Sequence, residues 1–248
     1  YIHLPFCENQ CLYCGCNVLL SRRKDILDRY IPLIAEEMRI KTAILGYKPQ
    51  VSQLHFGGGT PNFLRLPDWD IIFRELKKYF SFVPDAEISV ELDPMYLPKG
   101  YLGHLRSLGF NRVSYGVQDV TPKVLEAVNR PQDIDLIRRV VRESRDLKFS
   151  SVNIDLIYGL PHQTLSSYKY NLDFIREVNP DRIALFSFAY IPWLKHHQRR
   201  LDKNALTEPS EKLKIYLAAR ESFASFGYEQ IGMDHFGLQD DTLTKAFR

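Results

Sequence analysis

The sequence predicts an α/β protein built around a parallel sheet. Three observations predict it. Short β-rich runs alternate with longer helix-patterned runs, giving six strand–helix units in order. Such a repeat implies parallel strands joined by right-handed crossovers. Runs such as Ile183-Ala184-Leu185-Phe186 are apolar without alternation, as strands covered on both faces should be. Pro94, Pro122, Pro161 and Pro180 fall at the expected junctions.

Taken in order, Tyr1–Leu4 reads as the first strand and feeds a cysteine-rich loop. Lys24–Leu45 is a long helix: Ile26, Leu27, Tyr30, Ile31, Leu33, Ile34, Met38 and Ile40 recur at helical spacing, with Pro32 inside it. Val51–Phe56 is a strand followed by a glycine loop, and Asp68–Phe80 a helix with Pro67 at its start. Ile88–Leu92 is a strand, and Tyr101–Leu108 a helix stopped near Gly109. Arg112–Val117 is followed by helical Lys123–Val128 and Asp133–Leu147. Val152–Ile157 precedes a helix near Ser166–Val178, and Arg182–Phe188 one near Ser210–Phe226.

The length of 248 residues allows one large domain or two small ones. Composition is that of a globular protein, with 45% hydrophobic and 25% charged residues. A net charge of +3 is too mild to argue for nucleic acid. No apolar run approaches the roughly 18 residues that would span a bilayer, and no signal-peptide pattern is present. The chain opens at Tyr1, without Met, inside a strand pattern and ends at Arg248 just past a motif. Truncation at both ends is therefore expected.

All four cysteines lie close together, at Cys7, Cys11, Cys14 and Cys16. Free cysteines used for packing would be scattered through the core, because the thiol behaves as a small hydrophobe. The spacing C-x3-C-x2-C gathers three soft ligands, which select zinc, copper(I) or an iron–sulfur cluster. Structural zinc sites use two ligand pairs separated by a longer segment, and no second pair exists here. Three cysteines in one short loop instead suggest a [4Fe–4S] cluster with one iron open to a small ligand. A degenerate zinc site and surface disulfides are the alternatives. The absence of a secretory pattern weighs against disulfides. Reduced thiols and an oxygen-sensitive cluster give a cytoplasmic reading.

In parallel α/β architectures, ligands bind at the carboxyl ends of the strands. The candidate polar residues lie there: the cysteine loop, Gly57-Gly58-Gly59-Thr60-Pro61, Glu91 and Asp93, Gln118 and Asp119, Asp155, and Tyr190. The glycine loop lets backbone approach a ligand. No Lys-Ser/Thr follows it, so a phosphate cradle is not expected. Glu91 and Asp155 suit an ammonium or sugar hydroxyls, and the planar fork of Arg130 suits a carboxylate. Surface salt bridges are the plain alternative for all three. Tyr1 and His3 share one strand face. They are candidates for proton handling or a satisfied core pair. Cys16 is a candidate for substrate contact or for packing under the loop. The run Lys195-His196-His197-Gln198-Arg199-Arg200 reads as a solvated helix face, or as a cationic rim for an acidic substrate. Asp234-His235 reads as a proton source or a strand cap.

The loop C-x3-C-x-Tyr-Cys, with Tyr13 before the third cysteine, resembles the cluster loop of the radical S-adenosylmethionine (SAM) enzymes. The longer run Tyr1-Ile2-His3-Leu4-Pro5-Phe6-Cys7 through Cys14-Gly15-Cys16 resembles the oxygen-independent coproporphyrinogen III oxidases among them. So do His55-Phe56-Gly57-Gly58-Gly59-Thr60-Pro61, Glu91-Leu92-Asp93-Pro94, Gly116-Val117-Gln118-Asp119, Asn129-Arg130, Asn153 through Pro161, and Gly232 through Phe236. At Tyr190 the chain departs from the family pattern, which has His.

The resemblance implies an incomplete (β/α)6 barrel with an open side. Residues 1–232 would form the catalytic domain and residues 233–248 the start of a C-terminal region. It implies a [4Fe–4S] cluster on Cys7, Cys11 and Cys14, and two SAM molecules. Tyr1, Gly58 and Glu91 match the first SAM site; Tyr13, Gly59, Thr60, Gln118, Arg130, Asp155 and Ala189 match the second. Tyr1, His3 and Cys16 would be catalytic. The implied reaction converts two propionates of coproporphyrinogen III to vinyl groups through a deoxyadenosyl radical, giving protoporphyrinogen IX in heme biosynthesis. An electron donor such as flavodoxin or ferredoxin would serve it, with no role for nucleic acid or a membrane span. The rivals are a heme chaperone, whose relatives lack a cysteine at position 16, and a radical SAM enzyme with another substrate, such as a methyltransferase.

Overall fold

Eight strands form one continuous sheet, six of them parallel. The computed structural model describes residues 1–248. In chain order the elements are β1 (Ile2–Leu4), β2 (Phe6–Cys7), β3 (Leu19–Leu20), α1 (Leu27–Leu45), β4 (Gln50–Gly58), α2 (Leu66–Tyr79) and β5 (Ser81–Leu92). They continue with α3 (Tyr101–Leu108), β6 (Arg112–Gln118), α4 (Pro122–Ala127), α5 (Ile134–Asp146), β7 (Ser151–Tyr158), α6 (Leu165–Val178) and β8 (Arg182–Ser187). The chain finishes with α7 (Pro209–Ser225), β9 (Tyr228–Ile231), β10 (His235–Leu238) and α8 (Thr242–Phe247). The sheet order is β1-β4-β5-β6-β7-β8-β10-β9. Pairing is parallel from β1 to β8 and antiparallel from β8 through β10 to β9. β1 and β9 do not pair with each other, so the barrel stays open.

Local chemistry sets the helix ends. Asp133 caps α5 by accepting the Asp135 and Leu136 N–H groups at 2.9 and 3.1 Å. Thr164 caps α6 through the Ser167 N–H at 3.1 Å. Gly109, at φ 107°, ends α3 in a conformation that other residues resist. Pro67 and Pro209 sit in the first turns of α2 and α7.

The strands are not covered on both faces, contrary to the expectation from their apolar runs. Ile88, Val90, Val113, Tyr115, Val152, Ile154, Ile183 and Leu185 point outward into the main core. The alternate residues, Ser89, Glu91, Arg112, Ser114, Asn153, Asp155, Ala184 and Phe186, line a concave cavity. Period-two geometry sorts them this way. Helices cover only the outer face.

The strands β9 and β10 belong to this same sheet. The division expected after Gly232 falls in the turn between β9 and β10, and both strands lie in the main sheet. Asp241, just beyond β10, accepts Arg182 Nη2 at 2.7 Å and the Arg112 guanidinium, while Arg112 Nη1 donates to Glu87 at 2.8 Å. No helix is long and apolar enough to cross a membrane.

Candidate active site

The cysteine loop is closed at its base by the short parallel pair β2–β3, with Leu19 N donating to Pro5 O at 2.7 Å and Ser21 N to Cys7 O at 2.9 Å. Its middle is pinned by Leu12, 6% exposed, in a satellite core with Val124, Val128, Ile157, Leu160, Phe188 and Leu201. Burying such a side chain contributes about 1.5–3 kcal/mol. Leu12 N also donates to Val128 O at 2.9 Å, and Asn129 Nδ2 to Gln10 O at 2.8 Å.

The four thiols are free. All four residues line a cavity of about 800 Å³ at the carboxyl ends of the strands. The Cys7 thiol lies 3.2 Å from Thr60 Oγ1, and the Cys11 sulfur accepts Arg130 Nη1 at 3.4 Å. Burial pushes the Cys7 thiol up to about 11 despite the Thr60 hydrogen bond. A hydrogen bond between the Cys14 and Cys16 thiols raises Cys14 and lowers Cys16 to about 7. Cys16 is exposed, while the other three are half-buried.

The glycine loop is strapped beneath the cysteine loop. Gly59 N donates to Leu4 O at 2.8 Å and Thr60 N to Phe6 O at 2.9 Å. A Cβ at Gly59 would lie 2.7 Å from the Phe6 carbonyl oxygen, and one at Gly57 2.7 Å from the Glu91 carboxylate. The strapping therefore needs the missing side chains. Glu91 Oε2 accepts the Gly58 N–H at 3.2 Å and Oε1 meets His55 Nε2 at 3.0 Å, while His55 Nδ1 sits 2.7 Å from Ser89 Oγ. The carboxylate is thus held from two sides with its edge toward the cavity.

Opposite, Arg130 Nη1 pairs with Asp93 at 3.0 Å, and Nη2 donates to the Gly116 carbonyl. Burial opposes the Arg130 charge, but the Tyr13, Asp93 and Cys11 groups around it more than offset that. Asp155 accepts Asn153 Nδ2 at 2.6 Å and Ser114 Oγ at 3.2 Å. Burial, reinforced by the Glu91 charge, raises the Asp155 carboxyl to about 7. A register shift in the β6–β7 ladder between Gly116 and Gln118, with Gln118 at φ 70°, turns the Gln118 side chain to the cavity.

The cavity therefore gathers Cys7, Cys11, Cys14, Cys16, Tyr13, Gly58, Gly59, Thr60, Glu91, Gln118, Arg130, Asp155 and Ala189. Tyr1 and His3 stand outside its lining. Tyr1 is 71% exposed and stacks on His55 with centroids 5.8 Å apart. Its hydroxyl meets His3 Nδ1 at 3.0 Å, and His3 Nε2 meets Asn17 O at 3.0 Å. Asp119 turns away, fully buried and bonded to Gln163 at 2.6 Å and Asn171 at 3.0 Å. The basic run is not a solvated face along its length: Lys195, His197 and Gln198 reach cysteine-loop carbonyls. His235 lines the cavity from β10. His55 and Gln198 stand in the sequence only inside longer motifs, and their roles come from tertiary contacts. The place of His55 two residues before the glycine loop, and of Gln198 as the one amide in a basic run, were the available signals.

The donor set suits a cluster. Cys7, Cys11 and Cys14 line one cavity and offer only soft sulfur donors, the kind an iron–sulfur cluster takes. A polynuclear cluster spreads its thiolates over separate irons. Buried Gln118 Oε1, Arg130 Nε and Asn153 Oδ1 lack hydrogen-bond partners. Such atoms in a cavity wall are what a polar ligand satisfies.

Residues 1–175 match the family described as the radical SAM superfamily. The oxygen-independent coproporphyrinogen III oxidase of Synechocystis is 43% identical over 248 residues, covering 100% of this chain and 53% of the relative. That of Escherichia coli K12 is 41% identical, covering 100% and 54%. The solved coproporphyrinogen III oxidase HemN of Escherichia coli, a radical SAM enzyme, superposes with a TM-score of 0.94 at 40% identity, over 98% of this chain and 56% of HemN. The chain spans about half the length of these relatives. The SAM-bound enzyme anSMEcpe shares the fold at a TM-score of 0.60 and 12% identity. With a match over most of its length and the three-cysteine loop at the mouth of the cavity, the chain belongs to the radical SAM superfamily.

Proposed function

We propose that this chain is the catalytic part of an oxygen-independent coproporphyrinogen III oxidase. The carrying observation is that the thiols of Cys7, Cys11 and Cys14, the carboxylates of Glu91 and Asp155 and the buried guanidinium of Arg130, from separate strands and loops, line one cavity. Cys7, Cys11 and Cys14 would hold a [4Fe–4S] cluster, leaving one iron for SAM. When bound, the cluster supplies an electron to SAM, and SAM supplies the radical that removes hydrogen from a propionate.

The protein's own groups place and shield the reactants. Glu91, held by His55 and the Gly58 N–H, would face the ammonium of the first SAM, while the missing side chain at Gly58 makes room for the His3 ring. Tyr1, stacked on His55, borders the same side. Arg130 and Gln118, both in the cavity wall, would border a second SAM. Asp155, steadied by Asn153 and Ser114, meets its ribose hydroxyls, and Tyr13, Gly59, Thr60 and Ala189 complete that side. Cys16, exposed beside Cys14, faces substrate, and His3 orients the Tyr1 hydroxyl. Each propionate that becomes a vinyl group loses one carbon dioxide, one hydrogen atom and one electron, the last to an external acceptor. Coproporphyrinogen III enters from the open side of the barrel. A low-potential donor such as flavodoxin or ferredoxin serves the cluster, and the setting is cytoplasmic.

The test is anaerobic reconstitution with iron and sulfide. Wild type should show the electron paramagnetic resonance (EPR) signal of a reduced [4Fe–4S] cluster and cleave SAM reductively. Cys11→Ala should lose both, with cleavage down at least about 100-fold. The full-length protein should release carbon dioxide and form vinyl groups from coproporphyrinogen. One zinc per chain without sulfide would end this reading.

A further inference from the structure

The basic run Lys195–Arg200 supplies none of the cofactor contacts above, yet it ties down the cysteine loop. Gln198 lies in a short 3-10 helix, His196–Arg200, and is 1% exposed, while Arg199 and Arg200 beside it face solvent. Its amide is fully used. Nε2 donates to Tyr13 O at 3.3 Å and to Ala189 O at 3.1 Å, and Oε1 accepts the Ile191 N–H at 2.6 Å. His197 Nε2 donates to Cys14 O at 2.8 Å. Lys195 Nζ donates to Cys16 O at 3.1 Å.

Tyr13 and Ala189 lie far apart in the sequence, one in the cysteine loop and one just after β8, and both line the cavity. One planar amide spans them, so the gap between the cysteine loop and the segment after β8 is set by a rigid group. We propose that Gln198 is a positioning residue. It fixes the Tyr13 backbone against the Ala189 backbone and so sets the width of the nucleotide side of the cavity. His197 is a second tie, acting on the backbone of Cys14. The inference rests on the cluster-and-SAM reading of the site. A group that orients a binding residue from behind typically changes affinity or activity by about 10–100-fold when lost.

The test uses Gln198→Met and Gln198→Glu, which keep the length of the side chain but remove both N–H donors. Each variant is reconstituted anaerobically with iron and sulfide, and SAM affinity is measured by calorimetry. The EPR change of the reduced cluster on adding SAM is recorded beside it. Both variants should load iron as wild type does but bind SAM about tenfold more weakly, with an altered SAM-induced spectrum. A purely structural role would lower the melting temperature and leave the SAM affinity of the loaded fraction unchanged, which would overturn the proposal. Should the Gln198 variants fail to fold, the His197 pair decides. His197→Gln keeps a donor and should retain affinity within about twofold, whereas His197→Leu should weaken it; equal affinities would overturn the proposal. Wild type that neither loads a cluster nor binds SAM would remove the underlying reading, and this inference with it.

Discussion

Asp155 shows how a single residue registers a site built for a ligand. Its carboxyl rises to about 7 because burial and the Glu91 charge disfavour ionisation. Folding therefore favours the protonated acid. Its contribution is fully present below the ordinary carboxylate value near 4 and is lost as pH rises from there to about 7. Asp155→Asn keeps the shape without the charge, so it should stabilise the ligand-free protein at pH 8. It should have little effect at pH 4. The full shift corresponds to about 4 kcal/mol, but the carboxyl borders the cavity and water screens part of it. A gain of about 2 kcal/mol in urea unfolding is expected, and identical curves at pH 8 would refute the burial argument. This acid was legible in the sequence because it is an acid inside a mostly apolar strand, within the block Asn153 through Pro161 that carries the family resemblance. Gln198 was not, because its role depends on a tertiary contact with a loop far away in sequence.

At the scale of elements, the cysteine loop and the glycine loop form one unit laced by backbone hydrogen bonds. Gly59→Ala puts a methyl group against the Phe6 and Pro5 backbone, which cannot rotate away. We expect a loss of about 2 kcal/mol, seen as a melting temperature lower by roughly 4–8 °C. Gly15→Ala, where no atom lies within 4 Å of the new carbon, should change it by less than about 2 °C and serves as the control. The strand–helix rhythm was readable because apolar periodicity and the Gly and Pro punctuation agreed along most of the chain. Helix ends shifted by one to three residues at the caps, as with Asp133, which lies outside α5 as its cap. The β9–β10 hairpin is not legible in the sequence. Its strands are four residues each, and antiparallel pairing breaks the preceding pattern. The alternation in β5 to β7 separates a core face from a cavity face rather than two covered faces.

For the whole molecule, Asp241 fastens the last segment to the start of β6 and β8. Burial would raise its carboxyl, but the Arg182 hydrogen bond and the Arg112 and Arg182 charges prevail and lower it. The stabilisation is therefore present above pH about 4 and lost as acid protonates the carboxyl. Asp241→Ala leaves two guanidiniums without their shared partner. It should cost about 3–5 kcal/mol at pH 7, a melting temperature lower by roughly 6–20 °C, with the difference from wild type shrinking at pH 3. A small change at pH 7 would show that Glu87 alone satisfies Arg112. The concave face has a thermodynamic consequence of its own. Serine, asparagine, arginine and acid side chains stand along its strands where a closed barrel would stack aliphatic layers. Melting this protein then uncovers less hydrocarbon per residue than is usual. Calorimetry should record a heat-capacity increment below the customary ~12–15 cal/mol/K per residue, and a correspondingly flatter stability curve over temperature.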